Sequence, residues 1–281
     1  MIASSPVSIA SGLSVPADAI RDCLNEAFSD YLIHLPRLDD DNWHHFLFRQ
    51  GVDLGLSRVG VTGEQVISFA LVTPRSNDRW RVAVMGARPE ARGTGIAPRL
   101  LDETIADAQA RGLRSVELEV FAQNTRAKRL YLSRGMAPAT VLRAFDAAPS
   151  SRQTMLPVAT VLHGAAVQRA SEIEAGRGPY LPWQVCSEAI RRMPGTAHCW
   201  QSGSAQMVFT ESTGLIFVQS LLDGAPDYAS ATELLSVLRA TYPDAMLRAQ
   251  QLQAEDGAAR AFRDAGWVEA ELYQDLLVRT L

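Results

Sequence analysis

Residues 82–97 read Val-Ala-Val-Met-Gly-Ala-Arg-Pro-Glu-Ala-Arg-Gly-Thr-Gly-Ile-Ala, which predicts an apolar strand, a loop broken by glycines and the start of a helix. Gly93 and Gly95 allow the backbone to turn tightly and to expose consecutive N–H groups. The helix that follows adds the positive end of its dipole at the same place. Because such N–H groups bind phosphates, the stretch indicates a pyrophosphate site for a nucleotide-type cofactor.

Two common nucleotide-binding loops do not fit this stretch. A kinase-type P-loop ends in Lys followed by Ser or Thr, whereas Ala97 and Pro98 stand there and Lys128 is the only lysine of the chain. A dinucleotide-binding fingerprint needs a third glycine, and Pro98 takes its place when the count starts at Gly93. The remaining pattern is Arg-x-x-Gly-x-Ala, from Arg92 to Ala97, directly behind a strand.

A second motif follows at the end of the next predicted strand. Residues 118–131 read Leu-Glu-Val-Phe-Ala-Gln-Asn-Thr-Arg-Ala-Lys-Arg-Leu-Tyr, and Gly135 and Met136 close the helix. Together the two motifs resemble the acetyl-CoA loop and the strand-and-helix signature of the GNAT acetyltransferase superfamily. The resemblance covers about residues 1–145, and Met136 is the only departure, since the signature has an aromatic residue there.

The resemblance implies acetyl-CoA (coenzyme A) as the cofactor, with its pantetheine arm between two strands that separate from each other. The coenzyme-binding residues that it implies are Met85, Gly86, Ala87, Arg92, Gly93, Thr94, Gly95, Ile96, Ala97, Asn124 and Tyr131. Backbone groups of Met85 and Ala87 would hydrogen-bond the pantetheine amides and polarise the thioester carbonyl. The alternatives are a plain core strand at Met85 and Ala87, and a helix N-cap at Asn124.

Acetyl transfer to an amine requires a neutral amine and a protonated leaving thiolate, so the site needs a base and an acid. Glu119 resembles the base of the superfamily's peptide N-terminal acetyltransferases, which accepts the amine proton through a water. Tyr131 is the predicted general acid. Alternatives are Glu117 as the base, an exposed Glu119 paired with an arginine, and Tyr131 as a core tyrosine.

By the same resemblance, residues 31–46 lie over the acceptor end of the coenzyme tunnel. The predicted substrate-contacting residues there are Tyr31, His34, Arg37 and Trp43. Adjacent histidines on a helix point about 100° apart, which disfavours His44 and His45 as joint ligands of one ion. The prediction is therefore no metal.

Composition limits the class of protein. The chain has 281 residues, of which 47% are apolar, enough for two domains. With 27 basic and 31 acidic residues and no basic run, neither nucleic acid nor a membrane is the expected partner. The three scattered cysteines favour a reducing compartment, and the N-terminus lacks a secretory signal. We therefore expect a cytoplasmic protein.

Periodicity and turn residues predict the secondary structure. In the first half we expect helices over 18–31, from 39–42 onward, 98–110 and 125–134, and strands over 7–9, 54–61, 66–74, 80–87 and 115–121. In the second half we expect helices over 165–175, 183–192 and 231–240 and one ending at 265, and strands over 206–209, 215–220, near 247 and over 267–278.

The expected fold class is α/β (α+β), with two tandem GNAT-like domains, each a mixed, mostly antiparallel sheet flanked by helices. Residues 1–146 form the predicted catalytic domain, residues 157–281 the degenerate one, and 144–156 the junction. An ungapped offset of 131 residues, which sets Gly135 on Gly266, favours an internal duplication. The alternative is that two unrelated α/β halves share this order.

At that offset the second half lacks the motif residues. Asp223, Pro226 and Asp227 replace Arg92, Gly95 and Ile96, while Gln250 and Phe262 replace Glu119 and Tyr131. One active site per chain is therefore expected. The second domain is predicted to buttress the first, to line the acceptor cleft or to mediate self-association as a homodimer.

The predicted function is transfer of an acetyl group from acetyl-CoA to a primary amine of a small molecule, a peptide or a protein N-terminus, by direct attack. One alternative is a non-catalytic acyl-CoA-binding or sensor protein. Another is an acyltransferase that uses a longer acyl donor, for which Gly86 and Ala87 leave room, or a hydroxyl or thiol acceptor. The sequence does not identify the acceptor.

Overall fold

The computed structural model describes residues 7–76, 78–149, 158–176, 181–255 and 257–281, without the side chains of 76, 251 and 252. The chain forms two compact units. Unit 1 comprises Met1–Leu118, Arg126–Ala137 and Leu277–Leu281, and unit 2 comprises Glu119–Thr125 and Pro138–Leu276. Residues 150–156 of the predicted junction lie outside the described residues, and residues 144–147 end a strand. The domain bounds inferred from sequence stay a prediction.

Unit 1 is built from a mixed sheet and four helices. Its elements are β1 (Ser8–Ser11), α1 (Ala17–Ala27), α2 (Asp40–Gln50), β2 (Asp53–Thr62), β3 (Gln65–Ser76), β4 (Arg79–Ala87), α3 (Ile96–Ala110), the first part of β5 (Ser115–Phe121) and most of α4 (Thr125–Ser133). The strand order is β1-β2-β3-β4-β5, and only β4 and β5 are parallel.

The helices of unit 1 cover both faces of its sheet. A Cβ placed on Gly86 would meet Phe69 and Ala27 of α1, whereas one on Gly60 would meet Ser68 and Ile96 of α3. Ser68 and Phe69 are neighbours on β3, and successive side chains of a strand point to opposite faces. Therefore α1 and the start of α3 lie on opposite faces of the sheet.

Local signals account for the helix ends in this unit. The Asp39 carboxylate caps α2 by accepting from the Asn42 N–H at 2.9 Å, and Gly51 ends it at φ +65°. The helix predicted over 18–31 ends earlier, at Ala27, where the Phe28 N–H turns back to the Leu24 carbonyl. The segment that follows α1 is therefore a turn, which leaves Tyr31 outside the helix.

Unit 2 has a longer mixed sheet. Its elements are β6 (Ala137–Ala147), β7 (Ala159–Thr160), α5 (His163–Ala175), α6 (Ser187–Arg191), β8 (His198–Ser202), β9 (Ala205–Ser212), β10 (Leu215–Asp223), α7 (Ala229–Thr241), β11 (Met246–Ala254), α8 (Ala258–Asp264), β12 (Val268–Glu269) and the first part of β13 (Gln274–Thr280). The order β6-β11-β10-β9-β8-β7 is antiparallel except for β10 and β11, and β12 also pairs with β6.

Several elements of the second half differ from the prediction. The strands at 137–147 and 198–202 were not predicted, because Pro138 and small residues obscure the alternation in the first of them. The helix expected over 183–192 is a 3-10 turn at Trp183–Val185 followed by α6. The final strand is split into β12 and β13. β6 pairs with β11 about a hundred residues later, a contact that no local pattern reveals.

The two units repeat one arrangement of strands. The first residue of β4 pairs with the first of β5, Arg79 with Ser115, and the first of β10 with the first of β11, Leu215 with Met246. β4 and β10 have nine residues each, and each has a bulge at its fifth residue. This shared register and shared bulge support the internal duplication.

The ungapped offset of 131 residues is wrong at the loop that connects β10 to α7. Asp223 is the last residue of β10 and so corresponds to Ala87, the last of β4, rather than to Arg92. Residues 224–228 connect β10 to α7, a shorter loop than residues 88–95 between β4 and α3. The loop of unit 2 is therefore shorter than that of unit 1, rather than equally long with substituted residues.

Four charged side chains of unit 2 form a closed ring of ion pairs. Arg143 on β6 contacts Glu255 at 2.6 Å and Glu269 at 2.9 Å, and Arg263 on α8 contacts the same two carboxylates, each at 2.7 Å. Partial burial acts to raise the pKa of Glu255, but hydrogen bonds from Arg143 and Arg263 outweigh it and hold that pKa below its usual range.

This ring predicts a pH-dependent stability of unit 2. Because the pKa of Glu255 is lower in the folded state, its contribution is present above the unfolded value of about 4.3 and is lost as the pH falls through the folded value. As the pH falls from 6, the free energy of unfolding should therefore decrease less in Glu255→Gln than in the wild type. Urea unfolding at stepped pH measures this. Glu172→Gln, in an exposed pair with Arg169, is the control; equal acid sensitivity of wild type and Glu255→Gln would contradict the prediction.

Candidate active site

β4 and β5 pair only over a short distance. Their parallel register ends at Arg81 opposite Glu117. Residues 80–82 are buried, whereas residues 83–87 are partly exposed although β4 is an interior strand. The second half of β4 is therefore partly exposed beyond its pairing with β5, at the position where the sequence predicts the pantetheine arm.

Gly86 has a packing reason to be glycine. A Cβ at this position would lie 2.8 Å from Cζ of Phe69 and 3.1 Å from Cβ of Ala27. The strand thus lies directly against α1, and a larger residue would push the two apart. The end of α1 is in this way held beside the partly exposed backbone of Met85 and Ala87.

The loop before α3 presents free backbone donors. Gly93 and Gly95 have φ of +82° and +85°, a region that favours glycine, and no side chain caps the helix. The Thr94 hydroxyl donates to the Ala91 carbonyl at 2.7 Å instead of capping. Among the described residues, no acceptor binds the consecutive N–H groups of Gly93, Thr94, Gly95, Ile96 and Ala97. Such a cluster at a helix N-terminus is suited to an anion.

The arginines that flank this loop contact α1. Arg92 donates to both carboxylate oxygens of Asp30, at 2.6 and 2.7 Å, and to the Ala27 carbonyl at 3.0 Å. Arg88 is paired with Glu26. In this structure the Arg92 side chain therefore binds protein groups, and the backbone N–H groups are the donors left for a phosphate.

Tyr131 lies on α4 with only 8% of its surface exposed. Burial raises the pKa of its hydroxyl, and the nearby Tyr31 raises it further, so the phenol stays protonated at neutral pH. Within the described parts of the chain the hydroxyl has no hydrogen-bond partner. Tyr31 packs edge-on against Phe28, with ring centroids 4.8 Å apart. The fold thus brings together two phenols that are far apart in the sequence.

The two strand carboxylates differ in their surroundings. Glu117 is 1% exposed, and its Oε1 accepts from Arg75 at 2.6 Å while Arg79 lies 3.5 Å from Oε2. An enclosed, paired carboxylate does not fit a general base, so the alternative of Glu117 as the base is not retained. Glu119 is partly exposed on β5, beyond the last residue paired with β4; like Asn124, it belongs to unit 2.

The predicted substrate-contacting residues differ in exposure. His34 and Arg37 are exposed and Tyr31 is partly buried. Trp43 is 2% exposed and stacks on Phe46 in the core between the sheet and the first two helices. The prediction that Trp43 contacts substrate is not retained, because its ring is enclosed by the core.

In unit 2 the corresponding part of β10 is buried. The register of β10 and β11 ends at Val218 opposite Ala249, as in unit 1, but residues 220–223 are all buried. The Ser220 hydroxyl donates to the Val185 carbonyl at 2.8 Å, which places the 3-10 turn against the strand. Unit 2 therefore has no exposed strand backbone at this place.

The donors at the start of α7 are occupied by the chain itself. Asp223 is fully buried, and its carboxylate accepts from the Ser204 hydroxyl at 2.6 Å and from the N–H groups of Ala225 and Ala231, both at 2.9 Å. A carboxylate thus stands where an external anion would need these N–H groups. The two units differ in that five consecutive N–H groups of unit 1 have no acceptor among the described residues, whereas Asp223 and Asp227 accept from the N–H groups of Ala225, Ala229 and Ala231 in unit 2.

Within the described residues, no group of three or more histidine, cysteine, aspartate or glutamate side chains is placed to hold a metal ion. None of the described helices is long and apolar enough to cross a membrane.

The partly exposed half of β4, the free N–H groups and the buried phenol of Tyr131 all belong to unit 1 of an α/β fold. Residues 17–136 match the family model described as Acetyltransferase (GNAT) family. The match identifies residues 17–136 as an acetyltransferase domain of the GNAT type, and the solved structures that follow share the fold of the whole chain. The expected fold class is confirmed.

Solved structures with the same fold span nearly the whole chain. A putative acetyltransferase from Pyrococcus horikoshii is 11% identical with a TM-score of 0.67, over 100% of this chain and 91% of that one. A GCN5-related N-acetyltransferase from Sphaerobacter thermophilus is 17% identical with a TM-score of 0.67, over 99% and 97%. A tandem GNAT protein from the clavulanic acid biosynthesis pathway is 11% identical with a TM-score of 0.61, over 98% of each. No curated protein sequence matches the chain.

Proposed function

We propose that the protein is an acetyl-CoA-dependent N-acetyltransferase with one active site, which transfers the acetyl group to a primary amine of a small molecule or peptide. The observation that carries this proposal is the row of free N–H groups from Gly93 to Ala97 beside the open half of β4. The row suits a pyrophosphate, and the partly exposed β4 backbone suits the amides of a pantetheine arm.

When bound, acetyl-CoA supplies an activated thioester. The backbone N–H groups of Met85 or Ala87 stabilise the negative charge that develops on the carbonyl oxygen. Glu119 accepts the proton of the attacking amine through a water. Tyr131, held protonated by burial, donates its hydroxyl proton to the sulfur as the carbon–sulfur bond breaks. The nitrogen–carbon bond would form first and the carbon–sulfur bond would break afterwards, and exchange with solvent would then return a proton to the Tyr131 phenolate and remove one from Glu119.

The proposal is tested by measuring free thiol released from acetyl-CoA in the presence of a library of amines. We expect release with at least one primary amine, and a strong loss of rate in Glu119→Gln. Saturable coenzyme binding without thiol release for any acceptor would favour the acyl-CoA-binding sensor instead. Release with only a longer acyl donor, or with only hydroxyl or thiol acceptors, would redefine the reaction.

We also expect one coenzyme per chain, because the buried Asp223 places a carboxylate on the N–H groups of Ala225 and Ala231 in unit 2. Isothermal titration with coenzyme A should give a stoichiometry of one. Gly95→Ala should weaken binding, because it forces a side chain into positive φ in the loop of unit 1. The matched Gly224→Ala in the loop of unit 2 should leave coenzyme binding unchanged, because the added Cβ makes only ordinary van der Waals contacts. A second coenzyme per chain would contradict the prediction.

A further inference from the structure

The side chain of Arg92 connects two segments of unit 1 that the proposed reaction uses separately. It starts from the coenzyme loop, one residue before Gly93, and reaches Asp30, which lies sixty-two residues earlier in the chain, just after the end of α1. Asp30, its carboxylate partner, directly precedes Tyr31, whose ring packs edge-on against Phe28. The loop and the acceptor-side segment are therefore joined by one contact.

The contact between Arg92 and Asp30 is a two-bond ion pair with an exposed carboxylate. Two parallel N–H···O bonds hold the guanidinium on Asp30, the arrangement that gives an Arg–carboxylate pair its directional specificity. The third bond goes to the carbonyl of Ala27, the last residue of α1. Free carbonyls at a helix C-terminus favour a positive charge, so Arg92 also caps this helix.

We propose that Asp30 is a positioning residue, which through Arg92 fixes the coenzyme loop and Tyr31 in one arrangement. This inference rests on the proposed function. It assigns Arg92 to bracing of the loop, and leaves phosphate binding to the backbone N–H groups from Gly93 to Ala97.

A direct phosphate contact by Arg92 gives the opposite expectation. In that case Asp30 would compete with the coenzyme for the guanidinium, and Asp30→Asn would strengthen binding. Removal of any negative charge near the loop would also strengthen binding of an anion, and the exposed Glu90 provides the matched test of that effect. Bracing predicts that Asp30→Asn weakens coenzyme binding while Glu90→Gln does not.

The experiment measures the dissociation constant of coenzyme A by titration calorimetry for Asp30→Asn, Arg92→Gln and the double variant. We expect each single variant to weaken binding about two- to fivefold, as suits an exposed ion pair, and the double variant to be no weaker than Arg92→Gln. Asp30→Glu should restore most of the affinity, and the urea midpoint should barely change. Tighter or unchanged binding by Asp30→Asn, or additive losses in the double variant, would overturn the proposal.

A second readout separates failure of this proposal from failure of the proposed function. In the free protein, the N–H groups of Ser29 and Tyr31 are bonded to the Glu26 and Phe28 carbonyls. Hydrogen exchange of a peptide over 28–37 should rise in Asp30→Asn and in Arg92→Gln, but not in Glu90→Gln. If the wild type binds no coenzyme, the proposed function fails. Hydrogen exchange then still tests whether the Arg92–Asp30 pair holds the segment after α1. Unchanged exchange in both variants overturns the brace.

Discussion

Replacement of Tyr131 by phenylalanine is expected to lower kcat by about 10²- to 10⁴-fold, the range of general acid catalysis, with little change in coenzyme affinity. The ring stays in place, so packing and binding are retained, while the proton for the leaving sulfur is lost. Steady-state kinetics with the acceptor found by thiol release, together with titration of coenzyme A, measure the two effects separately.

The pH dependence adds a second check on this residue. Because burial raises the pKa of Tyr131 above its ordinary value of about 10, the acid should remain protonated through the neutral range. No fall in kcat due to Tyr131 should therefore occur below about pH 10. Tyr242→Phe, which removes a partly exposed hydroxyl bonded to Glu211 in unit 2, is the matched control. A Tyr131→Phe enzyme with wild-type kcat would remove the general acid from the mechanism.

Glu117→Gln is expected to destabilise unit 1 by about 3–5 kcal/mol, the cost of removing one partner of a buried ion pair. Its partner Arg75 has a side chain only 6% exposed and would keep its charge in the interior. The pair also lies at the last paired position of β4 and β5, where the strands begin to separate. Urea unfolding, followed through both midpoint and slope, measures the loss.

The control for Glu117 is Asp102→Asn, which removes an exposed partner of Arg134 and should cost no more than about 1 kcal/mol. If Glu117→Gln is no more destabilising than this control, the buried ion pair does not stabilise the place where the pairing of β4 and β5 ends. If Glu117→Gln instead abolishes turnover at unchanged stability, Glu117 would regain the role of base that its burial argues against.

Much of the fold of unit 1 could be predicted because its signals are local. Glycines at positive φ, the Asp39 cap and the alternation of β5 are properties of short segments, and β5 was predicted with its observed bounds. The strands at 137–147 and 198–202 were missed because a strand is stabilised by partners distant in sequence. The loop of unit 2 was misaligned because a deletion leaves no local trace.

By itself, the sequence determined the two motifs of the first half, the glycine loop and the positions of Glu119 and Tyr131 on a strand and a helix. Tertiary structure alone decided that the N–H groups of this loop have no acceptor among the described residues, while Asp223 accepts from those of Ala225 and Ala231 in unit 2. It also decided that Arg92 binds Asp30 and that Glu117 is enclosed by arginines. The physical reason is that burial and hydrogen-bond partners depend on residues far apart in the chain, whereas turns and helix starts depend on their neighbours.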